Sequence, residues 1–440
     1  MKMLPNRNKE IQSSSKIILS LFVIFFICCN KLVAQLPMFE ANDELHQIVF
    51  SKDTKAENRQ RLYKSLVSGI NKNLSLPLTD STEENWMDAF YSMELLRYKS
   101  SWVQGKMYEA FKGAEKRSAA FQYSLMECVY DSWPNEFTRE VFFLIDSTTD
   151  VKCFAACAEY IVKQDPKYET AILKKVYEKL RQYPSNFVLR AIRLRLVSTK
   201  DILPPLADLL NYKFYQSAKV VFSFQRKNRN YPGLAIVRDS AGNFIKDRYG
   251  NIFSVPQLAR SINNLPGYLS NGNTPQGIFR MHGTDISKSI FIGPTPNVQL
   301  SMPGETTQQH FFNDSTIVDS LWEMDWYRKL LPKSWQMYMP VYGTHFAGMA
   351  GRTEIIAHGT TVDPSWYRGT TYYPLTPTLG CLCTKELWDD ANGRRIKSDQ
   401  QKLVDALTKA GGADGYYIVI ELNDEQRPVD MNDVLPFLNK

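Results

Sequence analysis

The first half of the chain carries hydrophobic residues at helical spacing. After a capping-box pattern at residues 81–84, such residues recur every three or four positions, at Trp86, Ala89, Phe90, Met93 and Leu96. Similar periodicity predicts helices over residues 102–112, 116–130, 136–147, 151–163, 168–182, 186–197 and 201–222. Breaks such as Tyr183-Pro184 favour short turns between antiparallel helices. The pattern predicts an all-α, helical-repeat domain of HEAT-like type over residues 35–225.

From residue 226 the pattern changes. Residues 233–238, a turn at 239–243 and residues 244–245 predict a strand, a turn and a returning strand. Helical spacing returns at 316–331 and 398–410, and residues 415–421 have the β-branched and aromatic composition of a strand. We therefore expect a mainly β domain over residues 226–425 and a C-terminal tail over 426–440. The chain as a whole is predicted to be a multidomain α and β protein.

The chain begins with a basic segment followed by an apolar one. Four lysines and arginines precede an apolar run from Ile17 to Cys29. This run is shorter than the roughly 20 residues that a spanning helix needs. The pattern therefore predicts a signal peptide that comprises residues 1–34 and is cut after Ala34. The protein is then exported, periplasmic or associated with the cell envelope, and without a membrane span after signal removal. A retained anchor and a lipid-modified Cys28 or Cys29 are the alternatives.

Composition and cysteine use narrow the function classes. The chain is 44% hydrophobic and 22% charged, as in folded globular proteins. The net charge is +7, and the basic residues are spread along the chain without a basic run among aromatic residues. Nucleic-acid binding is therefore not predicted. Five cysteines follow the predicted signal peptide, an odd number that argues against a disulfide framework. Cys153 and Cys157 are expected to be small buried residues. Scattered histidines and the lack of a Cys-x-x-Cys pair predict no metal and no cofactor.

Two short motifs late in the chain carry reactive groups. Residues 355–359, Ile-Ile-Ala-His-Gly, predict a strand that delivers His358 to its end, and Gly380-Cys381 predicts a thiol on a turn. A cysteine attacks as thiolate, and a nearby imidazole takes its proton and later returns it to a leaving amine. We therefore predict Cys381 as nucleophile and His358 as base and acid. The backbone N–H groups of Gly380 and Leu382 are the predicted oxyanion donors.

His358-Gly359 followed by Gly380-Cys381 resembles the active-site signature of the L,D-transpeptidases, which remodel peptidoglycan. Residues 273–279, Asn-Thr-Pro-Gln-Gly-Ile-Phe, are similar to the family's Thr-Pro-x-Gly-x-Phe strand. The resemblance covers residues 232–425 and implies a β-sandwich catalytic domain. It also implies an exported transpeptidase that crosslinks or remodels the cell wall through a thioester between Cys381 and a stem peptide.

Other functions remain open at this point. Water in place of the acceptor amine would make the enzyme an L,D-carboxypeptidase. An unrelated cysteine amidase is a further alternative. The remaining alternative is a non-catalytic envelope scaffold, in which the helical domain docks onto a partner protein.

The chain departs from the family signature around the cysteine. Thr378 and Leu379 stand where the family has Ser or Thr followed by His, and Cys383 stands in place of an arginine. We expect Cys383 to be a packing residue, or alternatively a redox partner of Cys381. The further candidates for substrate or supporting contacts are Gly359, His345, Arg352, Arg368 and Thr378. His282, in a second His-Gly pair, is the alternative base.

Overall fold

The structure is a computed structural model that describes residues 48–197, 202–318 and 320–438. The predicted signal peptide lies outside the described residues. The described residues form one compact unit, with helices in its N-terminal part and a sheet in its C-terminal part, so the predicted order of helices and strands is confirmed. Within the part of the chain described, no helix has both the length and the apolar character needed to cross a membrane.

The N-terminal helices follow the hydrophobic spacing closely. Ser100, Ser118 and Asp150 accept hydrogen bonds from backbone N–H groups in the first turns of their helices, which fixes three helix starts. Cys153 and Cys157 are fully buried, as predicted. The helix bounds are α1 Ala56–Leu74, α2 Glu83–Leu96, α3 Ser101–Phe111, α4 Ala119–Ser132, α5 Thr138–Ser147, α6 Val151–Gln164, α7 Glu169–Gln182, α8 Phe187–Val197 and α9 Leu206–Leu210.

Two predicted helices are wrong in extent. The helix expected over 201–222 is limited to α9, and a strand starts at Lys219. Residues 219–225, Lys-Val-Val-Phe-Ser-Phe-Gln, are rich in β-branched and aromatic side chains, which suit a strand buried on both faces. The β part thus begins before the expected boundary at 226. The helix expected over 316–331 is limited to α11, Met324–Arg328, and Leu321 ahead of it is 86% exposed.

The C-terminal part forms an eight-stranded sheet in the order β3-β2-β1-β10-β4-β5-β6-β7, beside a two-stranded ribbon of β8 and β9. The pairs β1–β10 and β6–β7 are parallel, and the other ladders are antiparallel. Leu258, just after β3, exchanges two backbone hydrogen bonds of 2.8 Å with Cys383 of β7, so the edges of the sheet nearly close into a barrel. The strands are β1 Lys219–Gln225, β2 Gly233–Arg238, β3 Val255–Gln257, β4 Gly277–Asp285, β5 Asn297–Ser301, β6 Ile356–His358, β7 Leu382–Cys383, β8 Glu386–Trp388, β9 Arg395–Ser398 and β10 Asp414–Glu421.

The two faces of this sheet pack against different partners. The inner face encloses the predicted C-terminal helix, α13 Asp399–Lys409, whose Leu403 and Leu407 share one core with Ala357 and Leu382. Side chains on the other face, such as Phe222, join the core of the N-terminal helices. The remaining helices are α10 Gln308–Phe312, α12 Gly343–Met349 and α14 Leu435–Leu438. This arrangement buries Ala357 and Leu382 inside and turns their neighbours in β6 and β7 to the opposite face.

Candidate active site

The structure places His358 and Cys381 on two adjacent parallel strands. His358 pairs with Cys383 and Ala357 pairs with Leu382, so Cys381 lies one position before β7, beside Ile356. Because Ala357 and Leu382 face inward, His358 and Cys381 lie on the same outer face. They are offset by two residues along neighbouring strands, which corresponds to roughly 8 Å between their Cα atoms. The two residues are therefore diagonal neighbours in backbone register, while the contacts of their side chains lead elsewhere, from His358 Nδ1 to the carbonyl of Gly359 and from Cys381 Sγ to the carbonyl of Glu354.

Cys381 is half-buried on this face, just before the start of β7. Its Sγ lies 3.6 Å from the carbonyl oxygen of Glu354, a residue held in the left-handed region with φ of 62°. Burial raises the pKa of the Cys381 thiol, while a hydrogen bond from the Ile356 backbone and the charge of Arg352 act in the opposite direction. Since burial outweighs them, Cys381 is a thiol at neutral pH and needs a base to become a nucleophile.

His358 is held in a form suited to accept that proton. Its Nδ1 is hydrogen-bonded to the carbonyl of Gly359, and because a carbonyl only accepts, Nδ1 carries the hydrogen and Nε2 is the acceptor. Burial lowers the pKa of His358 to about 4, so the ring is neutral at neutral pH. A neutral imidazole with an accepting Nε2 is the protonation state of a general base, but a pKa of about 4 makes it a weak base towards a thiol whose pKa is raised.

The turn that carries the thiol is held by Thr378. Its Oγ1 accepts from the N–H of Gly380 and donates to the carbonyl of Cys381, both at 2.9 Å. Gly380 has φ of 111°, and a Cβ there would collide with Nη2 of Arg352. The predicted oxyanion donor at Gly380 is thus already engaged, and an oxyanion would have to displace the Thr378 hydroxyl. Leu382, the other predicted oxyanion donor, pairs with Ala357 in the β6–β7 ladder, so its backbone is part of the sheet.

Arg352 is the cation next to the reactive turn. It is buried, and its guanidinium donates to the carbonyls of Asn273 at 2.7 Å, Gly272 at 2.5 Å and Gly267. Burial lowers the pKa of Arg352 to about 10, so it stays charged at neutral pH and favours the Cys381 thiolate. Arg352 therefore stands near the turn, as expected, but its donors hold backbone rather than an open substrate pocket.

Within the described part of the chain, none of the contacts recorded for the remaining candidates involves this turn. Arg368 is exposed after the short 3₁₀ helix Pro364–Tyr367. His345 is buried on α12, and its ring lies 6.0 Å from the ring of Phe187. His282 is on β4, two strands away from β6, and stacks on His310 with 4.5 Å between ring centroids.

Sequence reasoning missed a buried carboxylate behind the His-Gly motif. Glu386 accepts hydrogen bonds from the hydroxyls of Thr295 at 2.5 Å and Ser398 at 2.6 Å, and from the N–H of Thr360 at 3.0 Å. A Cβ at position 359 would collide with this carboxylate, which explains the glycine. The glycine after His358 was therefore the one signal of a close approach in the sequence.

Gly359→Ala is expected to destabilise the protein by about 2–3 kcal/mol, because the added methyl group forces the buried Glu386 off its three donors. Urea unfolding followed by circular dichroism measures this change. Gly69→Ala in α1 is the matched control, since a Cβ there meets no atom within 4 Å. We expect it to stabilise slightly, by roughly 0.5–1 kcal/mol. Equal unfolding free energies for the two variants would contradict the proposed close approach.

A second missed feature connects the reactive turn to the helices. Thr274 donates through Oγ1 to the carbonyl of Gly380 at 2.9 Å, just after the segment that Arg352 holds. Within the same segment, Asn271 Nδ2 donates to Glu127 Oε1 of α4 at 2.9 Å. Residues 260–274 thus bridge α4 and the Cys381 turn.

Two more carboxylates of the helical part hold this bridge. Asp131 pairs with Arg260 and accepts from Asn264 at 3.1 Å, and Glu159 accepts from the hydroxyl of Tyr268 at 2.8 Å. The helical part is therefore a structural component of the site, through contacts about 100 residues or more apart in the sequence.

Glu127 is expected to make stability depend on pH. Burial raises its pKa above the ordinary 4.5, and its charge in turn raises the pKa of buried Glu94. The folded state therefore binds this proton more tightly than the unfolded chain, and the resulting stability is present below pH 4.5 and lost as pH rises through the folded pKa. Glu127→Gln cannot titrate.

Between pH 5 and pH 8 the unfolding free energy of the wild type should fall as Glu127 loses its proton. We expect this fall to be smaller by about 1–2 kcal/mol in Glu127→Gln. Urea titrations at pH 5, 6.5 and 8 measure it, with the exposed Glu57→Gln as control. An unchanged pH profile in Glu127→Gln would show that Glu127 is not the titrating group.

The described residues contain no group of three or more His, Cys, Asp or Glu side chains able to hold a metal ion. The groups that the structure places around Cys381 are the Thr378 turn, the Arg352 charge and, on the neighbouring strand, His358. No protein-family model matches the chain, and neither a curated protein nor a solved structure matches it.

Proposed function

We propose that this protein is an exported cysteine acyltransferase of the L,D-transpeptidase type that acts on peptidoglycan stem peptides. The observation that carries the proposal is the placement of Cys381 and His358 on one face of two parallel strands. A neutral imidazole accepting at Nε2 and a protonated thiol on the neighbouring strand are the two groups of a nucleophile–base pair, and the reaction requires Nε2 to come within hydrogen-bond reach of Sγ. The His-Gly and Gly-Cys motifs and the strand motif at 273–279 supply the resemblance to the family.

The reaction would proceed in two acyl transfers. His358 Nε2 takes the proton of the Cys381 thiol, and the thiolate attacks the carbonyl carbon of an L-to-D peptide bond in the donor stem. The C–N bond breaks as the thioester forms, and His358 returns the proton to the leaving amine of the terminal D-residue. An acceptor amine then attacks the thioester, gives a proton to His358 and releases Cys381. Water in place of the amine gives the carboxypeptidase reaction with the same residues.

The domain assignment belongs to the same proposal. The nearly closed sheet around α13 would be the catalytic domain, in place of the family's sandwich. The helices would form a HEAT-like stack, since α2, α4, α6 and α8 pack on one another in that order, α1 packs on α2, α5 packs on α6, and α7 packs on α8 and α6. In this arrangement the helical domain supports the site through residues 260–274 and is also the surface on which an envelope protein would dock.

A non-catalytic scaffold is the second candidate, and one observation favours it. The Gly380 N–H is engaged by Thr378, so the predicted oxyanion donor is occupied in the resting state. A scaffold would keep the thiol without forming an acyl intermediate.

Intact-mass analysis distinguishes the two candidates. The purified protein is incubated with a carbapenem, which acylates thiols of this type, and the adduct is located by peptide mapping. One adduct per chain on Cys381 is expected for the enzyme, together with consumption of muropeptides. A folded protein that forms no adduct and leaves muropeptides unchanged would reject the enzyme in favour of the scaffold.

A further inference from the structure

A groove of about 750 Å³ lies between the helical part and the segment that joins β5 to β6. One wall comes from α7, α8 and the turn between them, and the other from residues 322–324, Met339 and α12. Its apolar and aromatic lining includes Tyr177, Leu180, Phe187, Trp322, Met324 and Phe346.

The charge of this groove is strongly one-sided. Arg181, Arg190 and Arg193 line the helical wall, whereas Glu323 is the acidic residue on the other side. Arg190 lies over the ring of Phe187 at 5.2 Å and donates through Nε to a backbone carbonyl, a bond that does not use its terminal amino groups. Guanidinium groups recognise carboxylates through two parallel hydrogen bonds, so this wall is complementary to an acid.

A buried histidine at the groove points independently to a polar ligand. His345 lines the groove and is 1% exposed, and its Nδ1 has no hydrogen-bond partner among the described residues. Leaving a buried polar atom unpaired costs about 1–3 kcal/mol, and native structures do so rarely.

The groove adjoins a second cavity. This cavity of about 530 Å³ shares Phe187 with the first and is lined by Lys152, Met349 and Ala350. Together the two cavities extend along the helical part past α7, α8 and the start of α6.

We propose that this groove binds an acidic peptide. Carboxylates spaced along the peptide pair with Arg181, Arg190 and Arg193, and its apolar side chains lie on the aromatic lining. Three guanidinium groups at separate points of one groove suit acids distributed along a chain, whereas a single lipid head group would use one of them. The inference goes beyond acyl transfer and holds whether or not Cys381 reacts.

Fluorescence anisotropy with a fluorescein-labelled synthetic peptide of alternating glutamate and leucine tests the proposal. Saturable binding is expected, with the lysine–leucine counterpart at least tenfold weaker. The double variant R181E/R193E should weaken binding of the acidic peptide at least tenfold. R139E/R368E changes the net charge equally at exposed positions outside the groove and should stay within twofold of the wild type.

The outcomes separate this groove from the catalytic proposal. Cys381→Ala protein should bind the peptide as the wild type does, even where all turnover is lost. Equal weakening by both double variants would reduce the effect to net charge and overturn the proposal. Absence of saturable binding would also overturn it, as would cosedimentation with phosphatidylglycerol vesicles that R181E/R193E abolishes while peptide binding persists unchanged.

Discussion

Cys381→Ala is expected, under the proposed acyl transfer, to lower kcat/KM for muropeptide turnover by about 10⁴-fold or more, because no thioester can form without the thiol. The fold should survive, since Cys381 is half-buried at the end of a turn that Thr378 and Arg352 hold by other atoms. Turnover measured by separation of muropeptides, with circular dichroism as a check on folding, gives the result. Activity at the wild-type rate would remove Cys381 from the mechanism.

Cys383→Ala is the matched control, because the second thiol lies two residues away on the same outer face. Cys383 is fully buried, its Sγ lies 3.7 Å from Thr376 Oγ1, and burial raises its pKa to about 12. It therefore remains a protonated packing group, and its loss should cost about 1 kcal/mol of stability and change turnover less than fivefold. Inactivation by Cys383→Ala with an active Cys381→Ala would reverse the assignment of the nucleophile.

The elements that local patterns determine could be predicted from the sequence. Hydrophobic spacing located the helices from 83 to 197, α13 and β10, because each buries one stripe or both faces of its own residues. It failed at 201–222, where β1 forms by pairing with β10 almost 200 residues later. Hydrophobic periodicity alone does not distinguish such a strand from a short buried helix, and the β-branched and aromatic composition of residues 219–225 is the local signal that does.

The same distinction between local and long-range signals applies to the candidate site. His358 and Cys381 could be proposed as site residues because the proposal rests on two short motifs, and the ladder of β6 and β7 places those motifs on adjacent strands. Glu386 and Glu127 could not be found, because each acts across the fold on a backbone or amide group that is distant in sequence. The role of the helical part was open for the same reason, since its contacts with residues 260–274 are formed only in the folded chain.

These contacts explain why a cationic residue stands behind the reactive turn. Arg352 donates to carbonyls of the segment that Glu127 holds from the helical part through Asn271, and it lies against Gly380 on the other side. One side chain therefore links the helical part, the bridging segment and the thiol. The thiolate gains stability only while that link keeps the guanidinium in place.

Arg352→Ala is expected to lower the unfolding free energy by about 3–5 kcal/mol, because the carbonyls of Gly267, Gly272 and Asn273 lose their donor in a buried place. The pKa of Cys381 should rise further with the loss of the charge, so its iodoacetamide alkylation at pH 8 should slow. Urea unfolding and alkylation rates under native conditions measure the two effects separately.

Two further variants make the test of Arg352 specific. Arg352→Lys keeps the charge but not the planar fork, so it should preserve the alkylation rate better than the stability. Arg368→Ala, an exposed arginine, should change the unfolding free energy by no more than about 0.5 kcal/mol. If Arg352→Ala unfolded at the wild-type urea concentration and its thiol reacted at the wild-type rate, Arg352 would be neither the holder of the bridging segment nor the cation that favours the thiolate.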